Sequence, residues 1–95
     1  MPLSEETRQI HSENGGLIGE ANYQDGKLHG QNRLWSSEGQ LIGQSIYQQG
    51  KLHGTYETWW HNGNLKEKGR YSRGEKVGKY QWFDEDGLLI QEHQY

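Results

Sequence analysis

Gly26-Lys27-Leu28-His29-Gly30 and Gly50-Lys51-Leu52-His53-Gly54 spell one pentapeptide, GKLHG, twice at a separation of 24 residues. Repetition at a fixed period reports architecture first. Worked outward, the period spans nearly the whole chain. Tyr23, Tyr47, Tyr71 and Tyr95 stand 24 apart, as do Leu17, Leu41, Leu65 and Leu89, and Gly15, Gly39, Gly63 and Gly87. Trp35, Trp59 and Phe83 form an aromatic column, and Gly26/Gly50/Gly74 with Gly30/Gly54/Gly78 complete the frame. Residues 24–47, 48–71 and 72–95 are three full units, and 1–23 is a degenerate N-terminal unit expected to act as a cap, all within one domain, 1–95.

Each unit reads as two strands. TYETWWH, Thr55–His61, alternates and is rich in β-formers; Asn62-Gly63 follows, then LKEKGRY. Asn-Gly favours positive φ at both central positions of a type I′ hairpin. Asn14-Gly15, Glu38-Gly39 and Asp86-Gly87 occupy the same place. GKLHG then lies in the connection between hairpins, a longer turn from Gln48 to Gly54. Its Leu is expected to tuck against a neighbouring unit. The fold class is all-β: an antiparallel meander of up to eight strands of about 6–7 residues, forming one elongated twisted sheet.

A two-residue turn at Asn62-Gly63 pairs Trp60 with Leu65 and Trp59 with Lys66. One face then carries Tyr56, Trp60, Leu65 and Tyr71, with small Ala21, Ser45 and Gly69 admitting rings from adjacent strands. The other carries Trp35, Trp59 and Phe83, and sets Glu57 opposite Lys68. A one-residue bulge would exchange these faces.

Composition narrows the function. Only 29% of the residues are hydrophobic, too few for a deep core, while 12% are aromatic, too many for a disordered chain. The net charge of -3 argues against nucleic acid or an anionic membrane and for a basic protein partner. Without cysteine there is no disulfide or thiolate zinc site. The N-terminus lacks the apolar run of a signal peptide, no segment nears the ~20 apolar residues of a membrane span, and the default compartment is the cytoplasm.

Residues 47–71, YQQGKLHGTYETWWHNGNLKEKGRY, resemble the MORN repeat in the variant form of the bacterial YwqK-family antitoxins. The resemblance covers roughly residues 10–95 and implies a hairpin array that binds protein. Copies depart from one another: Glu75-Lys76-Val77 replaces Lys-Leu-His in the third, and Ser36-Ser37 stands where the second has Trp60-His61.

Catalytic and metal chemistry is not indicated. His29 and His53 lie one repeat apart, roughly 10 Å across two strand spacings, too far to share one zinc. Asp84-Glu85-Asp86 lacks the spacing of a calcium loop and reads as a solvated turn. No nucleophile–base set or carboxylate cleft is encoded, so no enzyme, cofactor or metal is expected. Trp and Tyr are enriched at binding hot spots, and a thin sheet leaves an apolar stripe accessible. The expected partner-binding residues are therefore Trp35, Trp59 and Phe83, with Glu57 complementing a basic partner. The expected function is a non-catalytic antitoxin or immunity protein covering a cognate toxin. The alternative is a scaffold or membrane-associated module, for which Lys66, Lys68 and Arg70 offer a basic strip. An open edge such as Leu88–Tyr95 would allow strand addition or homo-oligomers.

Overall fold

A computed structural model describes residues 4–95; of the expected N-terminal unit, residues 1–3 lie outside the described part. Eight antiparallel strands form one sheet in chain order: β1 (Glu5–His11), β2 (Leu17–Gln24), β3 (Lys27–Trp35), β4 (Leu41–Gln48), β5 (Lys51–Trp59), β6 (Leu65–Ser72), β7 (Glu75–Phe83) and β8 (Leu89–Gln94). The expected meander is therefore the observed one, with strands of 6–9 residues. The sheet is open, with β1 and β8 at its edges, and its extents of 48 × 37 × 12 Å are those of a single layer.

The two kinds of turn are the reverse of those the sequence suggests. Asp25, Gln49 and Arg73 have φ of 51, 51 and 53°, and the following Gly26, Gly50 and Gly74 have φ of 82, 85 and 86°. With Gln24 paired to Lys27, Gln48 to Lys51 and Ser72 to Glu75, these are two-residue turns with positive φ at both centres, the type I′ form. The connection expected to be long is thus the tightest in the molecule. At Asn62-Gly63 only Gly63 is left-handed, at φ 92°. Gly63 N donates to Trp60 O at 2.9 Å and Trp60 N to Asn64 O at 2.9 Å. That is a type I turn closed by a left-handed glycine, and it recurs at Ser12–Gly16, Ser36–Gln40 and Asp84–Leu88. Asx and Ser side chains hold these loops: Ser36 Oγ accepts from Gln40 N at 3.2 Å, and Asp84 Oδ1 from Asp86 N at 2.9 Å and Leu88 N at 3.0 Å. The acidic run at Asp84 is accordingly a hairpin loop.

The longer loop moves the register by one residue at its base. Thr58 pairs with Glu67, but Trp59 pairs with Leu65, leaving Lys66 as the extra residue of a bulge. Trp60 is in the loop, where a pairing with Leu65 was expected. Trp35–Leu41 and Phe83–Leu89 repeat the arrangement. The aromatic and leucine columns therefore meet across the strands instead of lying on opposite faces. In the strand bodies the expected register holds, with Tyr56 opposite Gly69 and Glu57 opposite Lys68.

GKLHG now has a backbone explanation. Its first glycine is the second centre of the type I′ turn, and Lys-Leu-His is already strand. Its last glycine, at φ 93° for Gly30 and 124° for Gly54, pairs with Tyr47 or Tyr71 on one side. On the other side it lies within a register shift, between Ala21 and Tyr23 or between Ser45 and Tyr47. Successive turns are also fastened together: Gly50 N donates to Leu28 O and Gly74 N to Leu52 O, each at 2.8 Å. The Leu of GKLHG thus contacts the next unit through its carbonyl.

One side chain, Tyr80, is fully buried among the described residues. It is seated over Gly69, where an added Cβ would overlap its ring. Around it, Tyr71 and Tyr95 present edges at 6.1 Å, Trp82 lies at 4.7 Å, and Tyr56 meets Tyr71 at 5.4 Å. Of the three small residues expected to admit rings, Gly69 does so, while Ala21 and Ser45 floor an open hollow; the core is one aromatic layer deep on one face.

Candidate functional site

Trp35, Trp59 and Phe83 are the last residues of β3, β5 and β7, where the strands enter the bulged loops. All three are half-buried. Their repeat positions set them in a row along one end of the sheet. Next to that row the loops of units two and three are joined. Trp60 Nε1 donates to Phe83 O at 3.1 Å, and the Asn62 and Asn64 amides both donate to Glu85 O, at 2.6 and 2.8 Å. The Lys66 ammonium lies 4.5 Å from the Trp60 ring. Sequence reasoning missed this clamp. The signal for it is the departure at Trp60, which stands where Ser36 and Asp84 cap their own loops. Asn62 Oδ1 takes over that task from two positions on, accepting from Asn64 N at 2.9 Å.

Glu57 is half-buried on the face opposite Tyr56. It faces Lys68 in register, yet the sole ion pair among the described residues is Arg8–Glu6 at 3.1 Å. The alignment therefore leaves the Glu57 carboxylate free of a direct cation. Lys68, Arg70 and Lys79 line a shallow hollow with Thr55, Gly69 and Gln81.

On the aromatic face, Tyr80 Oη donates to Glu67 Oε1 at 2.6 Å. Burial, then the bond to Glu67, push the Tyr80 hydroxyl far above the usual phenol range. Burial also raises Tyr56, with Glu67 and the neighbouring tyrosines adding to the effect. Lys76, which replaces the Leu of GKLHG in the third unit, holds its ammonium 4.7 Å from the Tyr80 ring, 5.4 Å from Trp82 and 5.6 Å from Tyr95. Tyr80 is thus held by packing and by its bond to Glu67.

The histidines serve the backbone in part. His53 Nδ1 accepts from Arg73 N at 3.3 Å, whereas His29 Nδ1 is buried without a protein partner. Among the described residues no three His, Asp or Glu side chains converge as a metal site would need. No described helix is long and apolar enough to cross a membrane.

Residues 52–72 and 76–95 match the sequence profile of a family described as MORN repeat variant. The match covers the second and third units and supports the MORN-repeat reading of this chain. That repeat is generally non-catalytic and suggests a scaffold for protein or membrane interaction. No curated protein and no solved structure matches the chain.

Proposed function

We propose that this chain is a cytoplasmic, non-catalytic protein-binding module, and that it acts as an antitoxin or immunity protein which masks a cognate toxin. One observation carries the binding role: a sheet 12 Å thick offers two broad faces and, among the described residues, buries one side chain completely. Such a surface is built to be covered. The toxin as partner rests on the likeness of residues 47–71 to the bacterial YwqK-family antitoxins. The binding row is Trp35, Trp59 and Phe83, at a pitch of roughly 10 Å set by two strand spacings. Glu57, free of an ion pair, complements a basic partner and steers its approach.

The test begins with the partner that co-purifies from the native host, identified and purified in turn. Trp59→Ala is expected to weaken that complex about 30-fold, equivalent to the roughly 2 kcal/mol of a hot spot. Glu57→Lys is expected to slow association, less so in high salt. Co-expression should restore growth to cells poisoned by the partner. A partner whose toxicity or growth effect the chain does not alter would overturn the antitoxin role. Full binding by Trp59→Ala would move the interface off this row.

A further inference from the structure

On the aromatic face, the N-terminal half of the sheet holds an open trough of about 310 Å³. Its floor is a run of small residues, Gly19 and Ala21 on β2 and Gly43 and Ser45 on β4. Ile10 and Leu34, 59% and 55% exposed, and Tyr56 rise around it. Glu20 and Arg33 border it, but their side chains bond Gln9 and Gln44, which alternation assigns to the far face. The lining is therefore neutral and mostly apolar.

The junction of the second and third units shows what such a hollow takes. There the position equivalent to Ser45 is Gly69, on β6, and the Tyr80 ring of β7 lies on it with Trp82 at 4.7 Å. One and two repeats earlier the position of Trp82 is held by Thr58 and Leu34, and that of Tyr80 by Tyr56 and Asn32. Tyr56 keeps its edge contact with Tyr71 at 5.4 Å. The group missing from the N-terminal half is thus of indole size, and glycine stands at position 43 where Glu67 meets the Tyr80 hydroxyl. We infer that this trough receives a tryptophan side chain presented by the protein partner. A free small molecule would stay largely solvated in so open a hollow, whereas a ring carried on a protein surface is buried by its own surroundings. The inference rests on the protein-binding role and adds a second contact on the face opposite Glu57.

The probe is N-acetyl-tryptophan amide, titrated to about 20 mM against the isotopically labelled chain without any partner. Amide shifts are expected at Gly19, Ala21, Gly43 and Ser45, with little change for N-acetyl-leucine amide. Gly43→Leu fills the trough; a Cβ at Gly43 meets Leu34 atoms at 3.6 Å, an ordinary contact, so folding should persist. It is expected to cut the shifts at least fivefold, and Leu34→Gln, on an exposed wall, at least twofold. Absent shifts, equal shifts with the leucine probe, or shifts unaltered in both variants would overturn the inference. So would dimerisation that protects Ile10 and Leu34, since a second copy would then be the occupant. If the probe binds but no protein partner exists, the function reading fails and the trough stands; the reverse result separates them equally.

Discussion

Replacing Gly69 by alanine adds one methyl group where the Tyr80 ring already lies. β6 is paired on both sides, so its backbone has little freedom to withdraw. The ring must therefore move. Overpacking alone costs about 1–3 kcal/mol. Moving Tyr80 also weakens its hydrogen bond to Glu67, a charge-assisted contact of about 1.5–3 kcal/mol when both groups stay in place. The two costs overlap, because a displaced ring relieves the clash, so the expected loss is about 3 kcal/mol. Gly43→Ala is the matched control. It lies on β4 with negative φ, and its new Cβ would touch Leu34 at 3.6 Å. Alanine there is expected to be neutral, or stabilising by up to about 1 kcal/mol, because it restricts the unfolded chain. Urea melts followed by tryptophan fluorescence compare the two. With the slope unchanged, the midpoint should fall for Gly69→Ala and hold for Gly43→Ala. Equal midpoints would refute the idea that one ring on one glycine organises this face.

The turn assignment predicts opposite responses at two sites. Gln49→Gly should raise stability by about 0.5–1 kcal/mol, because a non-glycine residue at φ 51° carries a left-handed cost. Gly63→Val should lower it by more than about 1 kcal/mol, since a β-branched side chain would sit at φ 92°. Thermal or urea melts check both; since Gly63 is left-handed under either turn type, it is a Gln49→Gly variant no more stable than the parent that would refute the assignment. For Tyr80 the folded phenol is held above its unfolded value of 10.0, so the unfolded chain gives up the proton first. Stability from this group is complete below about pH 10 and declines as pH rises beyond it. Tyr80→Phe should be less stable at neutral pH and show a shallower alkaline decline; an identical slope would place the hydroxyl in water.

Much of this fold was legible because its period is strict. Columns of Tyr, Leu and Gly at 24-residue spacing dictate two strands per unit, and the middle register, Glu57 to Lys68, followed from that alone. The turns were misread for a physical reason. Asn-Gly and Asp-Gly are the strongest short hairpin signals; Asp25-Gly26 carries one, but its repeat equivalents Gln49-Gly50 and Arg73-Gly74 look unremarkable in composition. Two of them, Gln49-Gly50 and Arg73-Gly74, are also held by the carbonyls of Leu28 and Leu52 one unit away, which accept from the glycine N–H, a non-local contact invisible in a local window. The error then propagated by one residue to Trp60, which left the sheet for the loop. The candidate site was legible as a row of repeat positions, but the Trp60–Phe83 clamp was not, since it depends on where the loop folds back.

These stitches bear on how a one-layer sheet remains ordered without a second layer to cover it. Strand pairing alone would hold each hairpin to the next but would leave the ends free to splay. The molecule fastens both ends. At the type I′ end Gly50 and Gly74 donate to the preceding unit and Asp25 N donates to Ser4 O, and at the bulged end Trp60, Asn62 and Asn64 reach 21 to 23 residues along the chain. The second and third units thus couple at both margins as well as through the ladder, the nearest-neighbour coupling that lets repeat arrays fold cooperatively. The aromatic layer adds packing where it is complete, around Tyr80, and stops where Asn32 and Thr58 replace its rings. Packing is therefore graded along the sheet: the packed face lies where the second and third units meet, and the open one lies toward β1–β5. An array graded in this way keeps its fold while leaving one half of a face unfilled, and that half is where an outside ring gains most by entering.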